Sequence, residues 1–388
     1  GRLLTPRING KPTSWPTAVD KVAQEFKRMI AKYGRESVAF YVSGQILTED
    51  YYVANKLMKG YIGTANIDTN SRLCMSSAVA GYKRAFGADT VPASYDDFDH
   101  ADLIVLVGSN TAWCHPILFQ RIKAAKVQRP QLKVVVIDPR ETATHEIADL
   151  HLPLKAGTDV LLFNALLVKL AERQVLDPQY IAQYTVDFDK AFASANRDVG
   201  DINTLATRIG ISDEQLNTFF DWFCQTPKTM TCFSMGVNQS SSGTDKVNAI
   251  INCHLATGRI GKEGASPFSL TGQPNAMGGR EVGGLANMLA AHMDIENPIH
   301  RQRVQSFWQS PVIADKSGLK AVDLFDAMYE GKIKAVWIMA TNPVVSLPNA
   351  DKVRAALEKC EFVVVSDCIA DTDTTRLADV LLPSLGWG

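Results

Sequence analysis

Cys74 stands in "NSRLCMSSAVAG" (70–81), with Arg72 before it and small residues after it. It is either a thiol that packs or one kept for chemistry, and no second cysteine lies near enough to make a Cys-x-x-Cys chelate with it. The other six, Cys114, Cys224, Cys232, Cys253, Cys360 and Cys368, are irregularly spaced. An odd number without pairs argues against a disulfide framework or a zinc site and fits a reducing cytoplasm. These six read as small packed residues. A second chemical group is Arg280, in "TGQPNAMGGREVGGLANM" (271–288), where Gly272, Gly278, Gly279, Gly283 and Gly284 surround Arg280 and Glu281. A flexible linker is the plain alternative. Helical sequence follows at once, so the segment reads as a tightly bent loop that brings backbone close to a ligand. Arg280 supplies a forked donor suited to planar oxyanions.

A third group is duplicated. "ADLIVLVGSN" (101–110) and "KAVWIMATN" (334–342) each end in Asn, at Asn110 and Asn342. "LKVVVIDPRET" and "FVVVSDC" follow, carrying Asp138 and Asp367, and Ala-Asp-x-x-Leu-Pro comes next in both copies (148–153 and 378–383). Polar residues at strand ends are either turn formers or ligand contacts. Matched spacing in two copies favours contacts, with Asp accepting from a ribose or base and Asn both donating and accepting. "GVNQSSSG" (236–243) is a further polar loop at a strand end, able to present N–H groups to anionic oxygens. "HEIADLH" (145–151) resembles the zinc-protease motif, but its histidines are six apart and would not share a helix face. It reads as surface and strand. Neither a Walker A motif nor G-x-G-x-x-G after a strand is present.

The elements that must position these groups alternate. Residues 17–33 have helical periodicity and lead into the strand "SVAFYVSG"; "TEDYYVANKLMKGYIG" then reads as a helix with Thr48 as N-cap and Gly60 near its end. Continuous apolar runs favour parallel strands covered on both faces. The fold class is therefore α/β: two doubly wound domains with mostly parallel sheets, one discontinuous in sequence, related by the internal repeat. The expected boundaries are 1–69 plus 270–388 for the discontinuous domain and 70–269 for the inserted one. A chain of 388 residues suits two cores. A net charge of −1 indicates no broad basic surface for nucleic acid, and no apolar run is long enough to span a bilayer. Both termini read as cut, so the chain reads as part of a longer protein.

"NSRLCMSSAVAGYKRAFG", "TGQPNAMGGREVGG", "ATNPVVSLPNAD" and "ADVLLPSLGWG" resemble the molybdopterin oxidoreductases of the dimethyl-sulfoxide-reductase family, closest to the catalytic subunits of bacterial assimilatory nitrate reductases. The resemblance implies a molybdenum ion held by two molybdopterin guanine dinucleotides, with Cys74 as the protein ligand. A soft thiolate suits such a metal. Ser76, Ser77 and Ala78 would leave room for the bulky group. Asn110, Asp138 and Asp159 would serve one dinucleotide, and Thr341, Asn342 and Asp367 the other. Gly44, Gln45, Met235, Gly236, Gly272 and Gln273 match loops approaching the pterins. Met75 after the ligand matches nitrate reductases, whereas formate dehydrogenases carry His there. Arg280 would guide nitrate. The implied reaction is two-electron oxygen-atom transfer from nitrate, giving nitrite and water. The implied electron donor is a reduced-nicotinamide flavoprotein subunit, ferredoxin or flavodoxin. A 4Fe-4S domain would precede this chain and a β-barrel domain would follow it. The alternatives are another molybdopterin reductase or dehydrogenase, such as one like formate dehydrogenase, and a metal-free scaffold subunit.

Overall fold

The computed structural model describes residues 1–386; Trp387 and Gly388, the end of the "ADVLLPSLGWG" segment, lie outside the described residues. The chain forms two compact units, one of Gly1–Leu73 with the residues from Gln273 on, the other Cys74–Gly272. The division falls three or four residues from each expected boundary. The strands in chain order are β1 (Arg7–Ile8), β2 (Lys11–Pro12), β3 (Val38–Val42), β4 (Ile67–Thr69), β5 (Leu103–Val107), β6 (Lys133–Ile137), β7 (Leu150–Leu152), β8 (Thr229–Phe233), β9 (Ser266–Ser269), β10 (Ala335–Met339), β11 (Phe362–Asp367) and β12 (Val380–Pro383).

In the contiguous unit the sheet order is β7-β6-β5-β8-β9, parallel throughout. Its strands send alternate side chains to opposite faces. Leu103, Val105 and Val107 join a core with Phe163, Leu166 and Ile250, while Ile104 and Leu106 join another with Phe119 and Ile122. Helices cover both faces, which is why these strands read as unbroken apolar runs.

The discontinuous unit has the order β2-β1-β12-β11-β10-β3-β4. Its five-strand centre is parallel, and β1 pairs antiparallel with both β12 and β2. If β5 and β10 are each counted as strand one of their unit, both centres read 3-2-1-4-5. The repeat extends to single hydrogen bonds. The Asp of each Ala-Asp-x-x-Leu-Pro copy accepts the N–H of the second residue of the neighbouring strand, Val134 to Asp149 and Val363 to Asp379, at 2.8 Å in both. These two aspartates are therefore register pins.

One expected helix differs. Thr48 is the first helical residue rather than the cap, and the Asp50 carboxylate accepts the Leu47 N–H. The helix Thr48–Lys56 widens into a π turn, Leu57–Ile62, closed by Gly63 at φ 85°. Gly60 lies inside that turn, packed against Trp308 and Ser310. The wide turn carries Lys59, whose role is described below.

Candidate functional site

In an open parallel sheet, ligands collect beyond the carboxyl ends of the strands where the strand order reverses. In the contiguous unit that point lies between β5 and β8; in the other it lies between β10 and β3. Most predicted site residues follow the carboxyl end of a strand in one of the two sheets; Cys74, Met75, Asp159 and Arg280 instead lie on helices.

At the β10–β3 point, Ala340 turns the chain with φ 54°, matching Gly108 at the end of β5, also φ 54°. Thr341 and Asn342 follow it, while Ser43, Gly44 and Gln45 leave β3. Asn70, directly after β4, ties them together. Its Oδ1 accepts the Gly44 N–H at 3.0 Å, and its Nδ2 donates to Thr341 Oγ1 at 3.3 Å and to Gln45 Oε1 at 3.4 Å. Gln273 has a buried Oε1 with no hydrogen-bond partner among the described residues.

The duplicated polar residues behave alike in both units. Thr144 Oγ1 donates to Asn110 Oδ1 at 3.0 Å, and Thr374 Oγ1 donates to Asn342 Oδ1 at 2.6 Å. The same threonine oxygens accept the N–H groups of Ala112 and Val344. Asp138 Oδ1 accepts the Arg140 N–H, and Asp367 Oδ1 accepts the Ile369 N–H. Each Asn thus spends its oxygen on the fold and each Asp one of its oxygens. The Asn amide N–H groups and the second Asp oxygens make no hydrogen bond among the described residues. Turn forming and ligand binding are not exclusive here, because one side chain offers an atom to each.

The glycine-rich segment 271–288 is ordered by packing. It forms a short helix, Ala276–Glu281, with Arg280 buried on it. The Tyr51 ring lies against Gly279 and Gly284, where a Cβ would come within 2.5 and 2.7 Å of ring carbons. Burial pushes the Tyr51 hydroxyl up to about 12, against the opposing pull of Arg280, so this phenol is neutral beside the guanidinium. Lys59 closes the segment. Its ammonium is fully buried and donates to the carbonyls of Gly283, Leu285 and Met288, each at 2.7 Å. Burial pushes Lys59 down to about 7, yet three acceptors for three protons is the geometry of a charged ammonium. Asp68, also buried, accepts the Ala286 N–H and pairs with Arg72, which reaches Asn287.

In the contiguous unit, Cys74 lies near the start of the helix Ser71–Phe86 and is 6% exposed. Met75 breaks the helix there (φ −130°, ψ 19°) and packs into the core. The break frees the Ala78 N–H, which the Asn238 side chain accepts at 2.7 Å, while Ser77 Oγ donates to the Asn238 carbonyl. Ser77 and Gly81 face the helix Gly243–Ala256 so closely that a Cβ on Gly243 would meet Ser77 Oγ at 2.3 Å, and one on Gly81 would meet Val247 at 2.4 Å. The expectation that Ser77 leaves room for a ligand is thus corrected: its smallness admits neighbouring protein. Gly272 is uncrowded by comparison: a Cβ there would make only ordinary contacts, 3.9 Å from Met235 Sδ and 4.0 Å from Cys74 Sγ. His115 Nε2 donates to the Thr271 carbonyl at 2.7 Å and holds this loop. Gly236 N–H donates to the Gly108 carbonyl at 2.9 Å, and a Cβ on either glycine would strike the other's backbone. Part of "GVNQSSSG" is a helical turn, Met235–Asn238, rather than loop. Asp159 opens the helix Asp159–Glu172 and pairs with the buried Lys246 at 2.7 Å.

The sequence reading missed Asn70, Lys59, Asn238 and Lys246. Asn70 had a signal, since it follows β4 as Asn110 follows β5. Lys59 had none, because its acceptors are backbone carbonyls more than two hundred residues away.

The model of the molybdopterin oxidoreductase family matches residues 2–388. The chain belongs to the molybdopterin oxidoreductase family. It is 55% identical to a nitrate reductase of Shewanella frigidimarina over 99% of its length, and 53% identical to a nitrate reductase of Klebsiella oxytoca over all of it. The chain spans 41% and 44% of those two proteins, less than half of each. Acetylene hydratase from Pelobacter acetylenicus shares the fold, with a TM-score of 0.74 at 20% identity over 98% of this chain and 55% of that one. Membership implies molybdenum and molybdopterin, and the residues fit such a group. A thiol beside an uncrowded glycine, a buried amide oxygen without a partner among the described residues, and Asn and Asp atoms left unspent at two equivalent strand ends are what a large polar cofactor would use. Among the described residues no helix is long and apolar enough to cross a membrane.

Proposed function

We propose that this chain is the cofactor-binding centre of a nitrate reductase catalytic subunit, which converts nitrate to nitrite and water. The observation that carries this is the placement of Gly272 beside Cys74 Sγ and Met235 Sδ, with no crowding around it, together with relatives named nitrate reductase. Molybdenum on two guanine-dinucleotide pterins supplies the two-electron chemistry when bound. Cys74 would give it one thiolate; Gly272 and Met235 would line its approach. Asn110 and Asp138 would hold one dinucleotide through the amide N–H and the second carboxylate oxygen, and Asn342 and Asp367 the other. Asp159 would help the first through the oxygen Lys246 does not hold, Gly236 through its backbone. Thr341, Gly44, Gln45 and Gln273 would serve the second.

Arg280 would draw nitrate in and orient it, held in place by the Lys59 clamp and Tyr51. Met75 would keep the neighbourhood of Cys74 apolar. The electron donor is a reduced-nicotinamide flavoprotein subunit, ferredoxin or flavodoxin, acting through a 4Fe-4S cluster outside this chain. The odd number and irregular spacing of the cysteines support a cytoplasmic location. In the full-length enzyme, Cys74→Ala is expected to abolish nitrate turnover and lower molybdenum content. Arg280→Gln is expected to raise KM for nitrate at least tenfold while molybdenum is retained. Full turnover by the Cys74 variant overturns the ligand assignment. A formate-oxidising or metal-free full-length protein overturns the reaction.

A further inference from the structure

The "HEIADLH" stretch does not form the helix of a zinc protease, but the chain brings its two histidines together by another route. His145 lies in a 3-10 turn, Ala143–Ile147, and His151 in β7. Their rings meet edge to face with centroids 4.9 Å apart. Glu141 joins them: one ligand atom from each of Glu141, His145 and His151 lies within 4.8 Å of the others. Glu141 is exposed and both histidines are half-buried, so solvent and ions reach the group.

The two histidines are held by the fold. The His151 Nε2 lies 2.9 Å from the Asp138 carbonyl. A carbonyl only accepts, so Nε2 carries the proton and the lone pair is on Nδ1. A ring N–H bonded to a backbone carbonyl is the usual way a metal-ligating histidine is oriented. The β6 ladder, Val136 against His151, and Gln215 Nε2 donating to the His151 carbonyl fix that backbone. The His145 turn is capped by Thr142, and Thr144 within it is locked to Asn110. The neighbouring acid, Glu146, is spent on Lys123. Glu141 is the carboxylate left to the pair.

We propose that Glu141, His145 and His151 form a binding site for a divalent transition-metal ion of the zinc type. Two imidazoles and one carboxylate, with an open side to solvent, are the donor set of a four-coordinate ion that keeps a water. The site is separate from the Cys74 ligand, to which it owes nothing chemically. It is linked to the proposed dinucleotide contacts through the main chain of Asp138 and through Thr144, whose hydroxyl holds Asn110.

The test uses Co2+ as a spectroscopic stand-in for zinc, titrated into full-length protein and read by equilibrium dialysis and visible absorption. One tightly held Co2+ per chain is expected, with d–d bands of nitrogen and oxygen ligation and no thiolate charge-transfer band. Glu141→Gln and His145→Ala are each expected to weaken binding by about tenfold or more, with unfolding midpoints unchanged when metal is absent. Absence of stoichiometric binding overturns the site. So does binding unaltered in both variants, or a thiolate band that puts the ion on cysteine.

Discussion

Ala340 is an L-residue in a left-handed turn at a strand end, where its counterpart in the other unit is Gly108. A Cβ in that region costs about 1–2 kcal/mol, so Ala340→Gly is expected to stabilise the protein by about 1 kcal/mol, seen as a higher urea midpoint. Unchanged or reduced stability would show that the turn tolerates its Cβ. His254 is buried, and burial with Arg259 nearby holds it well below its ordinary range of about 6.5. The unfolded chain takes up this proton near pH 6.5, the folded chain only well below it. Stability is therefore present above pH 6.5 and declines as pH falls toward the folded value, by up to about 1.4 kcal/mol per pH unit. His254→Gln should flatten that decline between pH 7 and 5 in denaturant titrations, and an equally steep profile would exclude this group as its source. At this scale the sequence was legible where a residue type repeats in register. Asn110 with Asn342 and Asp138 with Asp367 could be paired by eye, and they do share their hydrogen bonds. What no sequence shows is how a side chain divides its atoms between the fold and a ligand.

Among elements, the segment after Arg280 depends on a wide helical turn more than two hundred residues earlier. Removing the Lys59 ammonium leaves three buried carbonyls without a donor, at about 1 kcal/mol each or more. Lys59→Met is expected to destabilise the protein by about 3 kcal/mol and to raise KM for nitrate in the full-length enzyme through a loosened Arg280. A stability loss with KM unchanged would separate the clamp from the Arg280 role. The glycines here were legible as a bend but not as its cause. Gly279 and Gly284 are small because Tyr51 fills the space, just as Ser77 and Gly81 are small because of the helix Gly243–Ala256. Small residues look the same in a sequence whether a ligand or a neighbouring ring takes the room. The Thr48 cap was misread because the helix starts one residue earlier: Leu47 is the cap, and its N–H is accepted by Asp50 at the third helical position, an arrangement the local pattern does not separate from a Thr48 cap.

For the whole chain, two sheets with one strand order predict two equivalent nucleotide sites. Asp138→Asn and Asp367→Asn in the full-length protein should each lower the retained guanine nucleotide, with affinity losses of about tenfold for one charged hydrogen bond. Nucleotide released by acid and quantified by chromatography reads this out, and a variant that retains both equivalents would remove its aspartate from the site. The α/β class and the discontinuity were legible because the repeat copies stand far apart with a complete set of strand runs between them.

The discontinuity also sets a timetable for synthesis. Val38 on β3 pairs with Ala335 on β10, about 300 residues later, so at roughly 5–20 residues per second the first strands wait tens of seconds for their partners. The contiguous unit has all five of its strands in hand before β10 is made. Its sheet can close while β3 and β4 remain unpaired on the side facing β10. Those early strands are the part of the nascent chain most in need of a chaperone.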